Sequence, residues 1–253
     1  MTIAAWTRPA FRPTGRRATF LLLAFADREV LDSPPELAVA APPTAPVSAL
    51  RVNLVQEADQ PEWFDGWRRG PLRTVAAVQN IDMSVVDAAT CCYVIDIDVD
   101  DPIDLSHLQL AWAVASSIAR AGTVTVLDVH AATWHAGSDV AALPPDRPLV
   151  IQHEISITAE TEPSPGFGHA VHTRGMIKFG RPDLIAGVPA DRIRETGQIL
   201  NHLARMLATG AVIEPGERFR VDGRRTLMAA PYEPGGPTPD VVLANDGILL
   251  VDV

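Results

Sequence analysis

Cysteine is scarce: the chain has two, and Cys91 and Cys92 are adjacent. Two cysteines cannot build a disulfide framework or a four-cysteine zinc site. Neighbours in sequence are also badly placed to bond, because a disulfide wants Cα atoms about 5.5 Å apart. They read as free, inert thiols packed in a strand, which suits a reducing cytoplasm. The chain lacks any uninterrupted apolar run of about 18 residues, so no membrane-spanning helix is expected. It also lacks positive charge: 21 basic against 31 acidic residues leave a net charge of −10. Phosphate contacts need a surplus of Lys and Arg, so nucleic acid is not an expected partner. Phosphate-cradling glycine motifs and a Gly-x-Ser-x-Gly elbow are missing, so neither a nucleotide cofactor nor an α/β-hydrolase serine is supported. No cofactor is expected.

What is present is 253 residues, 47% of them apolar, enough for a sizeable core. Residues 1–17 carry four arginines broken by Pro9, Pro13 and Gly15, and read as a flexible leader. Arg16-Arg17 ahead of the apolar run 18–26 has the outline of an export signal. The run is short, however, and Asp27-Arg28-Glu29 follows at once. A first buried strand in a cytoplasmic protein is the main reading and export the lesser one. Residues 18–80 then hold this strand, a Pro-rich loop and a segment with Trp63, Phe64 and Trp67, read as a lid over the core.

The main domain is expected over 81–253. Cys91, Tyr93, Ile95, Ile97 and Val99 alternate with Asp96, Asp98 and Asp100, the pattern of a half-buried strand. Ser106 to Gln109 fits a capping box, and a helix with Leu108, Ala111, Trp112, Ala115 and Ile118 on one stripe runs to Gly122. A strand begins at Val124. Strands are predicted again over Leu149–Thr158 and His169–Phe179, then a helix opened by Pro189 and closed by Gly210, then a strand from Ala211. Asp222-Gly223 and Asn245-Asp246-Gly247 signal C-terminal hairpins. The fold class implied is α+β. It is a mixed, largely antiparallel sheet with two main helices on one face, built from two β-α-β units in the split β-α-β manner.

The block Thr173-Arg174-Gly175-Met176-Ile177-Lys178-Phe179-Gly180-Arg181-Pro182-Asp183-Leu184 resembles a Thr-x-Gly-Met-x-x-Phe-Gly-x-Pro-[Asp/Glu]-Leu block. That block occurs in uncharacterised bacterial proteins, some encoded near secretion or toxin-immunity genes. The resemblance implies a bacterial intracellular α+β protein, with an immunity-like role as one option, and carries no mechanism or catalytic residue. Read as a strand, the block puts Arg174, Met176 and Lys178 on one face. Arg174, Lys178 and Arg181 are then a candidate site for an anion or an acidic partner, or else cations guarding a sheet edge. Asp183 is placed to accept turn N–H bonds.

Two further constellations carry candidate chemistry. Asp96, Asp98 and Asp100 are the densest carboxylates and could offer oxygen ligands to Mg²⁺ or Ca²⁺, although no calcium loop accompanies them. Asp128 and His130 share a strand face and, with His153 and His172, could form a metal or acid–base site for a hydrolase. Against that alternative, the acidic charge, the exposed sheet edges and the lack of a convergent catalytic set favour a non-enzymatic protein. Its expected partner is another protein.

Overall fold

The computed structural model describes residues 2–31, 39–221, 225–233 and 245–253. In chain order it forms β1 (Arg17–Ala26), β2 (Leu50–Gln56), α1 (Pro61–Arg69), α2 (Pro71–Val78), α3 (Ser84–Asp87), β3 (Cys91–Asp100), α4 (Ser106–Ala121), β4 (Val124–Asp128), β5 (Thr133–Ala136) and α5 (Gly137–Ala141). There follow β6 (Ser156–Ala159), β7 (His169–Arg174), β8 (Asp183–Val188), α6 (Ile193–Ala208), β9 (Arg218–Val221), β10 (Arg225–Pro231) and β11 (Gly247–Asp252). No helix among the described residues is long and apolar enough to cross a membrane.

The α+β class holds, but the strands form two sheets, of order β2-β3-β1-β4-β5 and β6-β7-β8-β11-β10-β9. The chain divides into two compact units. The first gathers Met1–Thr7, Thr19–Val99 and Asp104–Leu149; the second gathers Arg8–Ala18, Asp100–Ile103 and Val150–Val253. The expected divisions at 17 and 80 do not coincide with these. The expectation of two long helices on one face of one sheet is corrected, since α4 belongs to the first unit and α6 to the second.

In the first unit, β1 runs antiparallel to β4. It also runs antiparallel to β3, with the Thr90 N–H bonded to the Ala26 carbonyl at one end. Strands β3 and β4 are therefore parallel, joined by α4, with β1 inserted between them. This is the split β-α-β arrangement read from the sequence. Phe25 on β1 is fully buried. Its ring lies 6.0 Å from those of Trp63 and Phe64, 6.5 Å from Trp67 and 5.9 Å from Trp134. Helix α1 is thus the lid the tryptophans suggested, opened by Pro61 at its first position, where a missing N–H is harmless.

Helix α4 is not started by the expected capping box. The Asp104 carboxylate accepts the Ser106 N–H at 2.9 Å, while the Ser106 hydroxyl donates to the Thr44 carbonyl at 3.2 Å. The Gln109 side chain accepts the Trp6 N–H at 2.8 Å and donates to the Ala4 carbonyl at 3.0 Å. Ile3 and Trp6 are buried, so residues 2–7 are an integral part of this unit and not a leader.

In the second unit all strand pairs are antiparallel except β8 with β11. Helix α6 packs on β6, β7 and β8. The expected strand His169–Phe179 stops at Arg174 because Met176–Phe179 turns as a 3₁₀ helix. That turn is closed by the Gly180 N–H on the Ile177 carbonyl and the Arg181 N–H on the Met176 carbonyl. Asp183 ties its two ends together: it accepts the Thr173 hydroxyl at 2.9 Å and the Met176 N–H at 3.3 Å. The expected strand Leu149–Thr158 is likewise shortened by a 3₁₀ turn at Ile151–His153, and Ala211–Ile213 is irregular. Strands β9 and β10 pair as expected, with Val221 opposite Arg225. The Asp222-Gly223 turn and the strand expected at Val241–Leu243 lie outside the described residues.

Candidate functional site

The acidic strand face is ion-paired within the protein. Arg51 lies 3.6 Å from both Asp96 and Asp98, Thr19 donates to Asp98 at 2.7 Å, and Arg17 holds Asp100 at 3.0 Å. Burial, and then neighbouring Asp98, push the Asp96 carboxyl above its ordinary range. Among the described residues, no group of three or more His, Cys, Asp or Glu side chains is arranged to hold a metal ion.

The histidine constellation is divided. Asp128 and His130 belong to the first unit, His153 and His172 to the second. Asp128 is fully buried and accepts the Ala131 N–H at 3.0 Å, a turn-forming role. His153 is exposed. His172 is fully buried, with Nε2 3.1 Å from Glu160 and Nδ1 3.3 Å from the Thr173 carbonyl. Burial pushes its pKa down, against the pull of Glu160. Cys91 and Cys92 are free, buried thiols. Burial first, then the charges of Glu29 and Asp27, push Cys91 up to about 11, and burial also raises Cys92 well above the ordinary thiol range, so neither is a ready nucleophile.

The cation trio is not a shared surface. Lys178 is fully buried against Glu154 at 3.5 Å. Arg174 is half-buried, and its Nε is enclosed without a hydrogen-bond partner among the described residues. Arg181 is 2% exposed. Its guanidinium donates to the carbonyls of Arg12, Gly180, Gly210 and Ala211 and to the Thr14 hydroxyl, at 2.8–3.2 Å. The alternating-strand reading failed because the block is a turn, and a turn points these side chains in different directions.

Arg181 does, however, brace the wall of a cavity of the second unit of about 650 Å³. Arg8 braces the same region from below the surface. It is 4% exposed and donates to the carbonyls of Pro102, Phe179, Leu207 and Ala208. Those of Leu207 and Ala208 lie at the C-terminus of α6 and that of Phe179 at the end of the 3₁₀ turn, where a cation also meets the negative end of a helix dipole. Burial, then the nearby Arg181 guanidinium, bring Arg8 down to about 10, with Asp101 opposing. Asp101 accepts the N–H groups of Thr14 and Gly15 at 2.8 and 3.0 Å, fixing the loop that carries Arg12.

The cleft floor is apolar, formed by Leu207, Val212, Ile213 and Ile248 with Tyr232. Pro13, Pro182, Pro215 and Pro231 stiffen its walls, because each has φ locked by its ring. At the mouth Arg16 pairs with Asp246 at 3.0 Å. Arg12 and Glu214 also line the cleft; both are exposed, and neither side chain makes an ion pair or hydrogen bond with a described residue. The described lining contains no His, Cys, Ser or Lys. It offers shape, apolar surface and two opposite charges, but no nucleophile–base pair.

Sequence reasoning missed this cleft because its loop falls within residues 8–18, read as a leader. The available signal was four arginines interleaved with prolines, a composition that equally describes a disordered tail. No family model matches the chain, and neither the curated proteins nor the solved structures contain a match. The resemblance of the Thr173–Leu184 block therefore rests on its residues alone.

Proposed function

We propose that the chain is a binding protein without catalytic chemistry, and that the cleft of the second unit is its ligand seat. The observation that carries this reading is the lining itself: a proline-walled hollow of about 650 Å³ with an apolar floor, the size of an ordinary small-molecule site, whose described residues include no His, Cys, Ser or Lys. Arg12 and Glu214 give it polarity. Two opposite charges that face one cavity and pair with no described residue suit a ligand that brings both signs, a zwitterion with an apolar body. The free, buried thiols support a reducing, cytoplasmic setting for this function.

The test is a titration of the full chain, followed by NMR, with dipeptides of apolar side chains, offered with free ends and with acetylated and amidated ends. Free-ended dipeptides should saturate and shift Ile213, Tyr232 and Ile248. Blocking either end, or changing Arg12→Gln or Glu214→Gln, should weaken binding about three- to tenfold. Equal binding of the blocked compounds, or shifts confined elsewhere, would reject the zwitterion reading. A Val212→Trp variant that keeps its circular dichroism should lose binding by filling the hollow.

A further inference from the structure

We propose that the free edge of the second sheet, strand β9, docks an extended acidic segment of another protein, which adds to the sheet as a further strand. This site is separate from the cleft and does not rest on its occupancy. Among the described residues strand β9 is the last in its sheet, so one side of its backbone has no described strand beside it, a template for a peptide strand. Its side chains alternate in exposure. Arg218 and Arg220 are exposed, while Phe219 and Val221 are half-buried. Neither arginine has an ion-pair or hydrogen-bond partner among the described residues.

All four residues of β9 border a groove of about 660 Å³ shared with α6, to which Phe219 and Val221 contribute apolar surface. On the helix side Ile199, Leu203 and Met206 form an i, i+4, i+7 apolar stripe, flanked by Gln198 and His202. Helix α6 covers β6, β7 and β8 and leaves this stripe partly open: Met206 is 38% exposed. The acidic residue of the groove, Glu195, is already held by Arg225 at 3.2 Å, which leaves the arginines of β9 to set the local sign. In a chain of net charge −10, this edge presents the opposite sign.

Those features define the occupant. An added strand places alternate side chains on the two faces. Acids on one face meet Arg218 and Arg220, and apolar residues on the other fill the groove beside Met206. A second copy of this chain fits poorly, because pairing β9 with itself sets arginines against arginines. Charges that merely guard an edge would explain the arginines but not the open apolar stripe beside them.

The experiment uses the full isotopically labelled chain and two capped heptapeptides, Glu-Val-Glu-Leu-Glu-Val-Glu and its counterpart with Lys for every Glu. The acidic peptide should bind saturably, shift amides of 218–221 and 199–206, and weaken as salt is raised. Arg218→Glu with Arg220→Glu should weaken it about tenfold and let the lysine peptide bind in its place. Met206→Glu should weaken the acidic peptide while circular dichroism and thermal midpoint stay at wild type. The proposal fails if both peptides bind alike, if no saturable binding occurs, or if the shifts lie outside this edge. It also fails if sedimentation shows β9 occupied by a second copy, disrupted by the same reversals. Loss of dipeptide binding in the cleft leaves this result unaffected.

Discussion

Lys178 is the only lysine in the sequence, every other basic side chain being an arginine, and it is buried completely with Glu154. An ammonium group can leave water only where opposite charge and acceptors replace its hydration. Removing one partner leaves the other charged and enclosed. Lys178→Met should therefore cost about 3–5 kcal/mol in urea denaturation, whereas Lys178→Met with Glu154→Leu should cost much less. An amine-acylating reagent, read by mass spectrometry after digestion, should modify Lys178 only when the chain is unfolded. Asp183 makes the complementary case. Burial raises its carboxyl to about 6 in spite of the bonds from Thr173 and Met176. The folded pKa lies above the unfolded one, so the folded chain holds this proton more tightly. The group's contribution is most favourable below about pH 4 and is lost as pH rises through about 6. Against Asp183→Asn, the wild-type chain should lose on the order of 3 kcal/mol of stability across that window. A difference that is flat with pH would contradict the assignment.

At the level of elements, the end of α6 shows how one residue couples a helix stop to the cleft. The Gly210 N–H bonds to the Leu207 carbonyl and the Ala211 N–H to the Met206 carbonyl, the double closure of a Schellman end. Gly210 sits at φ +106°, and a Cβ there would lie 2.4 Å from the Phe11 backbone. Gly210→Ala should cost about 3 kcal/mol in thermal or chemical unfolding, combining backbone strain with a clash that cannot relax cheaply. Gly210 was legible as a stop because a glycine followed an apolar helical stripe. Strand β3 was legible because its alternation has one cause: Ile95 and Ile97 are fully buried while Asp96 and Asp98 are partly exposed. The Thr173–Leu184 block was misread because alternation of residue types there has another cause. Thr173 and Asp183 bond across a 3₁₀ turn, and no period of two survives it. Arg8 was invisible for the same kind of reason. Its partners lie 94–200 positions away, and bonds at that separation leave no periodic mark near the arginine.

On the scale of the whole molecule, those distant bonds decide what can fold. The second unit contains its whole described sheet and all of α6 within Val150–Val253, which invites the idea that this stretch is an independent domain. Yet Arg8 satisfies the Phe179, Leu207 and Ala208 carbonyls, and Arg181 spends two of its bonds on the Arg12 carbonyl and the Thr14 hydroxyl. Without residues 8–18, several buried acceptors and the Arg181 donors lose their partners. Each group left buried and unsatisfied costs about 1–3 kcal/mol, and a few of them remove a large part of the 5–15 kcal/mol that holds an ordinary domain together. A fragment of residues 150–253 should therefore give a poorly dispersed amide spectrum and no cooperative melt. A well-dispersed spectrum from it would mean that water replaces the two guanidinium braces at little cost. In the full chain, Arg8→Met keeps much of the side chain's bulk but removes its donors, and should lower the melting midpoint while the far-ultraviolet spectrum stays native. The two experiments together separate the contribution of the arginine bonds from that of the missing chain length.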